Sequence, residues 1–109
     1  MKAVLKKSDA AEPFTFSFLG KDGKTMVRSE NYKEKRSATN GIESVKKNCT
    51  EDGRYEMKES SNGKFFFNLK AANGQVVATS MLYASDADRS AAISELKKDG
   101  PNAEVDDQC

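Results

Sequence analysis

The chain has 109 residues, a formal net charge of +1, 37% hydrophobic and 32% charged residues, and no histidine. Those totals suit one soluble globular domain; they exclude a disordered or membrane-embedded chain and remove the usual electrostatic argument for nucleic acid. Without histidine the commonest general base and the commonest neutral metal ligand are both missing, and no catalytic, cofactor-binding or metal-binding residue is assigned.

In chain order, Lys2–Lys7 predicts a short first strand. Lys2 interrupts the only apolar patch at the N-terminus, which therefore does not read as a signal peptide, and the cytoplasm is the expected compartment. No apolar run approaches the roughly 20 residues of a bilayer span, so no membrane association is expected. Ser8–Pro13 is a polar loop, and Phe14-Thr15-Phe16-Ser17-Phe18 alternates with the period of a strand that buries one face. Lys21-Asp22-Gly23-Lys24 supplies a tight turn and Thr25–Glu30 the returning strand. Ser37 is the expected N-cap of a helix whose buried stripe is Ala38, Ile42, Val45 and Cys49. Lys46 and Lys47 sit in its last turn, where positive charge suits the helix dipole, and Gly53 closes the unit.

The same order then returns. Strands are predicted at Arg54–Glu59, Lys64–Lys70 and Gln75–Ser80, with Ser60-Ser61-Asn62-Gly63 and Asn73-Gly74 as turns. A helix from Asp86 to Lys98 is stopped by Gly100-Pro101, and Ala103–Asp106 forms a last strand. Gly23 recurs as Gly74, Phe14 as Phe65, Tyr32 as Tyr83 and Ile42 as Ile93, so residues 3–54 read as written again without a gap, 51 positions later. Units of about 50 residues bury too little surface to stand alone. The two repeats, about 1–53 and 54–109, are expected to share one core in a single domain. Arg54–Glu59 both opens the second repeat and follows the first helix. The expected fold class is α+β: two tandem β-β-β-α-β repeats forming one antiparallel-rich sheet, with two helices on one face.

Two segments carry a family resemblance: Asn40-Gly41-Ile42-Glu43-Ser44-Val45-Lys46-Lys47-Asn48, and Gly63-Lys64-Phe65-Phe66-Phe67-Asn68-Leu69-Lys70-Ala71-Ala72-Asn73-Gly74-Gln75. They resemble the signature segments of the YegP-like family, small uncharacterised bacterial proteins of one or two such repeats. The resemblance implies paired units in a single sheet with C-terminal strands exchanged between them. It implies no activity and transfers no functional residue. In the second repeat Ala91-Ala92-Ile93-Ser94-Glu95-Leu96 replaces the helix motif.

Polar constellations are few. Cys49 continues a helix stripe and reads as a buried structural thiol, and Cys109 as a free terminal one. Ser29 with Tyr32, repeated as Ser80 with Tyr83, could bind a small ligand; the plainer reading is a strand-ending serine and a packed ring. Asp86 with Asp88, and Asp106 with Asp107, lack the spacing of a calcium loop. Gly20, Gly23, Gly63 and Gly74 answer to turn geometry. Lys33, Lys35, Arg36, Lys46 and Lys47 crowd the first repeat, while Glu104, Asp106 and Asp107 end the chain; both runs read as solvated faces.

Phe66 alone breaks the pattern. It points opposite to Phe65, Phe67 and Leu69, where the first repeat has Thr15. With Asn68, Lys64 and Lys70 it forms the candidate partner surface. The expected function is a non-enzymatic interaction module that takes a protein or peptide through the open sheet face or an edge strand. Single-stranded nucleic acid on the same face is the alternative, and a small-ligand binder or enzyme ranks below both. A monomer is expected, with a homodimer as the alternative.

Overall fold

Period-two alternation in the phenylalanine strands sorts apolar from polar side chains, and the sheet is built on that sorting. The computed structural model describes residues 1–109. In chain order it contains β1 (Lys2–Lys7), β2 (Phe14–Leu19), β3 (Thr25–Arg28), α1 (Lys35–Asn48), β4 (Tyr55–Glu59), β5 (Phe65–Lys70), β6 (Val76–Ser80), α2 (Asp86–Asp99) and β7 (Glu104–Asp107). Short 3-10 turns at Asp52–Arg54 and Gly100–Asn102 follow the two helices.

All seven strands form one sheet in the order β4-β5-β6-β3-β2-β1-β7. Every neighbouring pair is antiparallel except β1 and β7, which are parallel. The halves join where β3 meets β6, with Arg28 opposite Thr79. Those two residues are repeat equivalents, so a local two-fold axis passes between them. Strand exchange is complete: β4, which follows α1, pairs with β5 of the second repeat, and β7, which follows α2, pairs with β1 of the first.

Both helices cover one face. Phe16 and Phe18 of β2 and Phe67 and Leu69 of β5 share a single buried cluster with Ala38, Ile42 and Val45 of α1 and with Ile93 and Leu96 of α2. Each central hairpin also carries a bulge. The β2–β3 register jumps from Phe18↔Val27 to Leu19↔Thr25, and the β5–β6 register from Leu69↔Ala78 to Lys70↔Val76. The skipped residues, Met26 and Val77, are repeat equivalents, and both pack on the core beside a neighbour that already faces it.

The repeat is not gapless at its first strand. Leu5 lies opposite Phe16, and Met57 opposite Phe67; Ala3 lies opposite Phe18, and Tyr55 opposite Leu69. Ala3 therefore answers to Tyr55 and Leu5 to Met57, a separation of 52, because the β1–β2 loop is one residue longer than the β4–β5 loop. A strand side chain changes face with every residue, so pairing these strands at 51 would turn the apolar set of one of them outward.

One local expectation is corrected. Ser37 does not cap α1; the helix starts at Lys35, and Glu34 holds the cap position without a side-chain bond. The buried Ala38 needs a helical turn ahead of it, and its N–H reaches back to the Glu34 carbonyl. At the equivalent place in α2 the short Ser85 side chain does cap, accepting from the Asp88 N–H at 3.1 Å. Gly100-Pro101 does end α2, after Asp99, with Gly100 at a φ of −57°. A Cβ there would fall 2.8 Å from Cys49 Sγ. Cys49 and Gly100 are repeat equivalents, so matched positions meet across the local axis and only one of them has room for a side chain.

Candidate functional site

On β5 the residues between the buried ones, Phe66 and Asn68, point away from the helices, as does Lys70. Across the ladder Phe66 faces Lys58, and Asn68 faces Glu56 on one side and Thr79 on the other. Three of the four predicted surface residues are thus brought together. Lys64 is not on the strand; it closes the β4–β5 turn, where its N–H donates to Ser60 Oγ at 3.1 Å and its carbonyl accepts from the Ser60 N–H at 2.8 Å.

The polar part of this face is internally bonded. Lys70 Nζ donates to Glu56 Oε2 at 2.8 Å, Asn68 Nδ2 to Glu56 Oε1 at 3.2 Å, and Thr79 Oγ1 to Asn68 Oδ1 at 2.8 Å. Lys58 Nζ lies 3.8 Å from the same carboxylate. Glu56 is therefore the hub, and its bonds from Lys70 and then Asn68 hold its carboxyl below the usual carboxylate range. Phe66 stands beside this network, half-buried and outside the core cluster.

Glu56 escaped the sequence reading, although strand alternation and a paired register would have set it opposite Asn68. Arg89 escaped it too. It replaces the buried Ala38 of the first repeat, and that mismatch inside a helix stripe was a legible signal. Its guanidinium lies 5.3 Å from the Phe65 ring centre, and it donates to the Lys58 carbonyl at 3.0 Å and to Asp86 at 2.7 Å. Arg89 thereby fastens the start of α2 to β4 and β5.

The Ser–Tyr pairs divide. Ser29 Oγ accepts from the Phe16 N–H at 2.9 Å and donates to the Glu30 carbonyl; Ser80 Oγ accepts from the Phe67 N–H at 2.9 Å and donates to the Met81 carbonyl. Both hydroxyls are consumed by the backbone. Tyr32 stacks on Phe16 with ring centres 6.4 Å apart. The close approach of α1 that encloses this pair requires Gly41, where a Cβ would fall 2.6 Å from the Phe16 ring. Tyr83 instead lines an open cavity of about 740 Å³ between the β2–β3 hairpin and α2, with Met26, Met81, Asp22, Asp88 and Glu95 around it. Burial raises the hydroxyl pKa of both tyrosines.

Cys49 is fully buried, and burial pushes its thiol up to about 11. Cys109 is exposed. The basic and acidic runs meet at one point, where Lys35 Nζ lies 2.6 Å from Asp107 Oδ2 and pins β7 to the start of α1. No three carboxylates or thiols gather where they could hold a metal ion. No helix is long and apolar enough to cross a membrane.

Against known families, residues 9–56 and 60–107 each match a domain of unknown function, DUF1508. The chain belongs to that family. Among its relatives, a UPF0339 protein of Pseudomonas aeruginosa is 46% identical over 98% of this chain and 96% of its own length. YegP of Escherichia coli K12 is 43% identical over 94% and 91%. The solution NMR structure of YegP from E. coli superposes with a TM-score of 0.90 at 41% identity, covering 98% of this chain and 91% of that one. A UPF0339 protein from Shewanella oneidensis, also solved by NMR, gives the same score at 37% identity, covering 97% and 89%. The family unit begins in the loop after β1 and ends within β4 or β7, so β1 lies outside both units. By the local symmetry β7 would lie beside β2 as β4 lies beside β5; β1 occupies that berth and displaces β7 one strand outward.

Proposed function

We propose that this chain is a non-enzymatic, cytoplasmic interaction module that docks a protein or peptide on the helix-free face of its sheet, centred on Phe66 with Asn68 and Lys70 beside it. The carrying observation is that both helices pack on one side of a seven-stranded sheet, while an aromatic side chain stands on the other. The rim supports the reading: Glu56, Asn68, Lys70 and Thr79 bond to one another and offer a fixed polar surface beside an apolar centre. The non-enzymatic part is supported by the serine hydroxyls being committed to backbone groups and by the protonated, buried Cys49.

Replacing Phe66 with Ala tests it. The expected outcome is a change in stability within about 0.5 kcal/mol, as for a surface position, with loss of the partner that the unaltered protein captures. A loss of several kcal/mol would make Phe66 a packing residue and remove the site. Single-stranded nucleic acid is the weaker alternative, favoured by Lys58 and Lys70 on the same face as Phe66 but weakened by the commitment of Lys70 to Glu56. Titration with mixed oligonucleotides at two salt concentrations decides it, because phosphate-driven binding is strongest at low salt.

A further inference from the structure

The two outer edges of the sheet differ in chemistry. β7 presents Glu104, Asp106 and Asp107 in a run of four residues, and such charge protects an edge against pairing with its own kind. β4 is charged as well, but with both signs, so that a second copy of itself can match it. It reads Tyr55-Glu56-Met57-Lys58-Glu59 and pairs with β5 alone.

The direction of its backbone groups follows from β5. Phe65 exchanges hydrogen bonds with Tyr83, and the Phe67 N–H goes to Ser80, so the odd-numbered residues of β5 turn toward β6. Phe66 and Asn68 therefore turn toward β4, where they meet Lys58 and Glu56. What remains pointing outward is the N–H and C=O of Met57, flanked by those of Glu59 and the Tyr55 carbonyl; the Tyr55 N–H is already bonded to Asp52. The Met57 side chain on the same edge is 52% exposed.

We propose that β4 pairs antiparallel with β4 of a second copy, centred on Met57, to form a two-fold dimer with one continuous sheet. This rests on the interaction reading above and gives its edge-strand form a specific partner. Self-complementarity selects a second copy. In this register Met57 faces Met57, and Glu56 faces Lys58 twice, once on each side of the axis, in positions where antiparallel side chains approach most closely. Pairing β4 with β7 of another copy would instead set Glu56 and Glu59 among three acids with only Lys58 to offset them. That contact would also leave edges open and build filaments, whereas the two-fold pairing closes.

Only a few backbone bonds and one apolar contact form, so the dimer belongs with small, weak interfaces. Sedimentation of the full-length chain from ~10 µM to ~1 mM should show a reversible monomer–dimer equilibrium, a range that small interfaces commonly require. Lys58→Glu sets carboxylates against each other and should weaken association about tenfold; Glu56→Lys should do the same with ammonium groups. Mixing the two variants should restore pairing as a heterodimer, which a general loss of folding would not do. Met57→Pro removes the outward N–H and the side chain at the dimer axis, leaves the β5 bonds in place, and should abolish the dimer while circular dichroism stays unchanged. A chain that sediments as a monomer at ~1 mM, or a dimer indifferent to these changes, overturns the proposal. So does a foreign protein captured through β4 that excludes self-pairing, an outcome that would leave the interaction reading intact. Loss of partner capture in Phe66→Ala bears on that reading alone.

Discussion

Leu5 and Met57 hold the same position in the two halves of the molecule, each in a first strand opposite a buried phenylalanine. Leu5 is 2% exposed and Met57 52%. The difference lies in what stands beyond them. β7 covers the far side of β1, whereas β4 ends the sheet. Repetition thus specifies local structure twice, while burial depends on a neighbour that only one copy has. The sequence accommodates this: the covered strand carries Ala3 and Leu5, the uncovered one Tyr55 and Met57. Tyr55 is long enough to lean inward, packing on Phe67 and donating its hydroxyl to the Cys49 carbonyl at 2.6 Å.

The largest test of this contrast is a pair of truncations. Leu5→Ala should cost about 2–5 kcal/mol, and Met57→Ala less than about 1 kcal/mol, when unfolding is followed in denaturant. Equal costs would mean that β7 does not seal β1. Next is the meeting of Cys49 with Gly100. Gly100→Ala should destabilise by about 1–3 kcal/mol through overlap with the sulfur. Adding Cys49→Ala should recover part of that loss, because a Cβ at 100 lies at an ordinary 3.7 Å from Cys49 Cβ. Smaller is the cap difference: Ser85→Ala should cost about 1 kcal/mol and Glu34→Ala a few tenths, measured as thermal midpoints.

The last effect is absent at neutral pH. A free thiol ionises near pH 8.5, whereas burial holds Cys49 protonated to about 11. The unfolded chain sheds that proton first, so stability should fall as pH rises through this interval, and Cys49→Ala should flatten the slope. Tyr55, raised mainly by burial, adds to the loss at the upper end in both proteins.

Strand periodicity, hairpin turns and helix stripes made the element order legible, and the strands fall within two residues of where alternation sets them. Gly23, Gly63 and Gly74 have the positive φ that their turns demand. Non-local geometry was not legible. Gly100 has no positive φ and is small because the buried Cys49 comes close, and no local pattern reports such an approach. The one-residue slip of β1 was hidden because residue matches in the long β2-to-α1 stretch dominate any comparison of the copies. At the candidate face, Phe66 was visible as a break in alternation. Glu56 became visible only once β4 was set against β5.

The pairing of β1 with β7 also governs when the fold can be completed. Lys2 meets Glu104, a contact that spans nearly the whole chain. During synthesis the first strand therefore emerges long before the strand that covers it, and its outer edge stays uncovered until β7 is made. Lys2, Lys6 and Lys7 bracket the apolar centre of that strand, as charges that discourage wrong pairing would be placed. β1 and β7 complete their side of the sheet together, so a change that weakens their pairing acts late in folding.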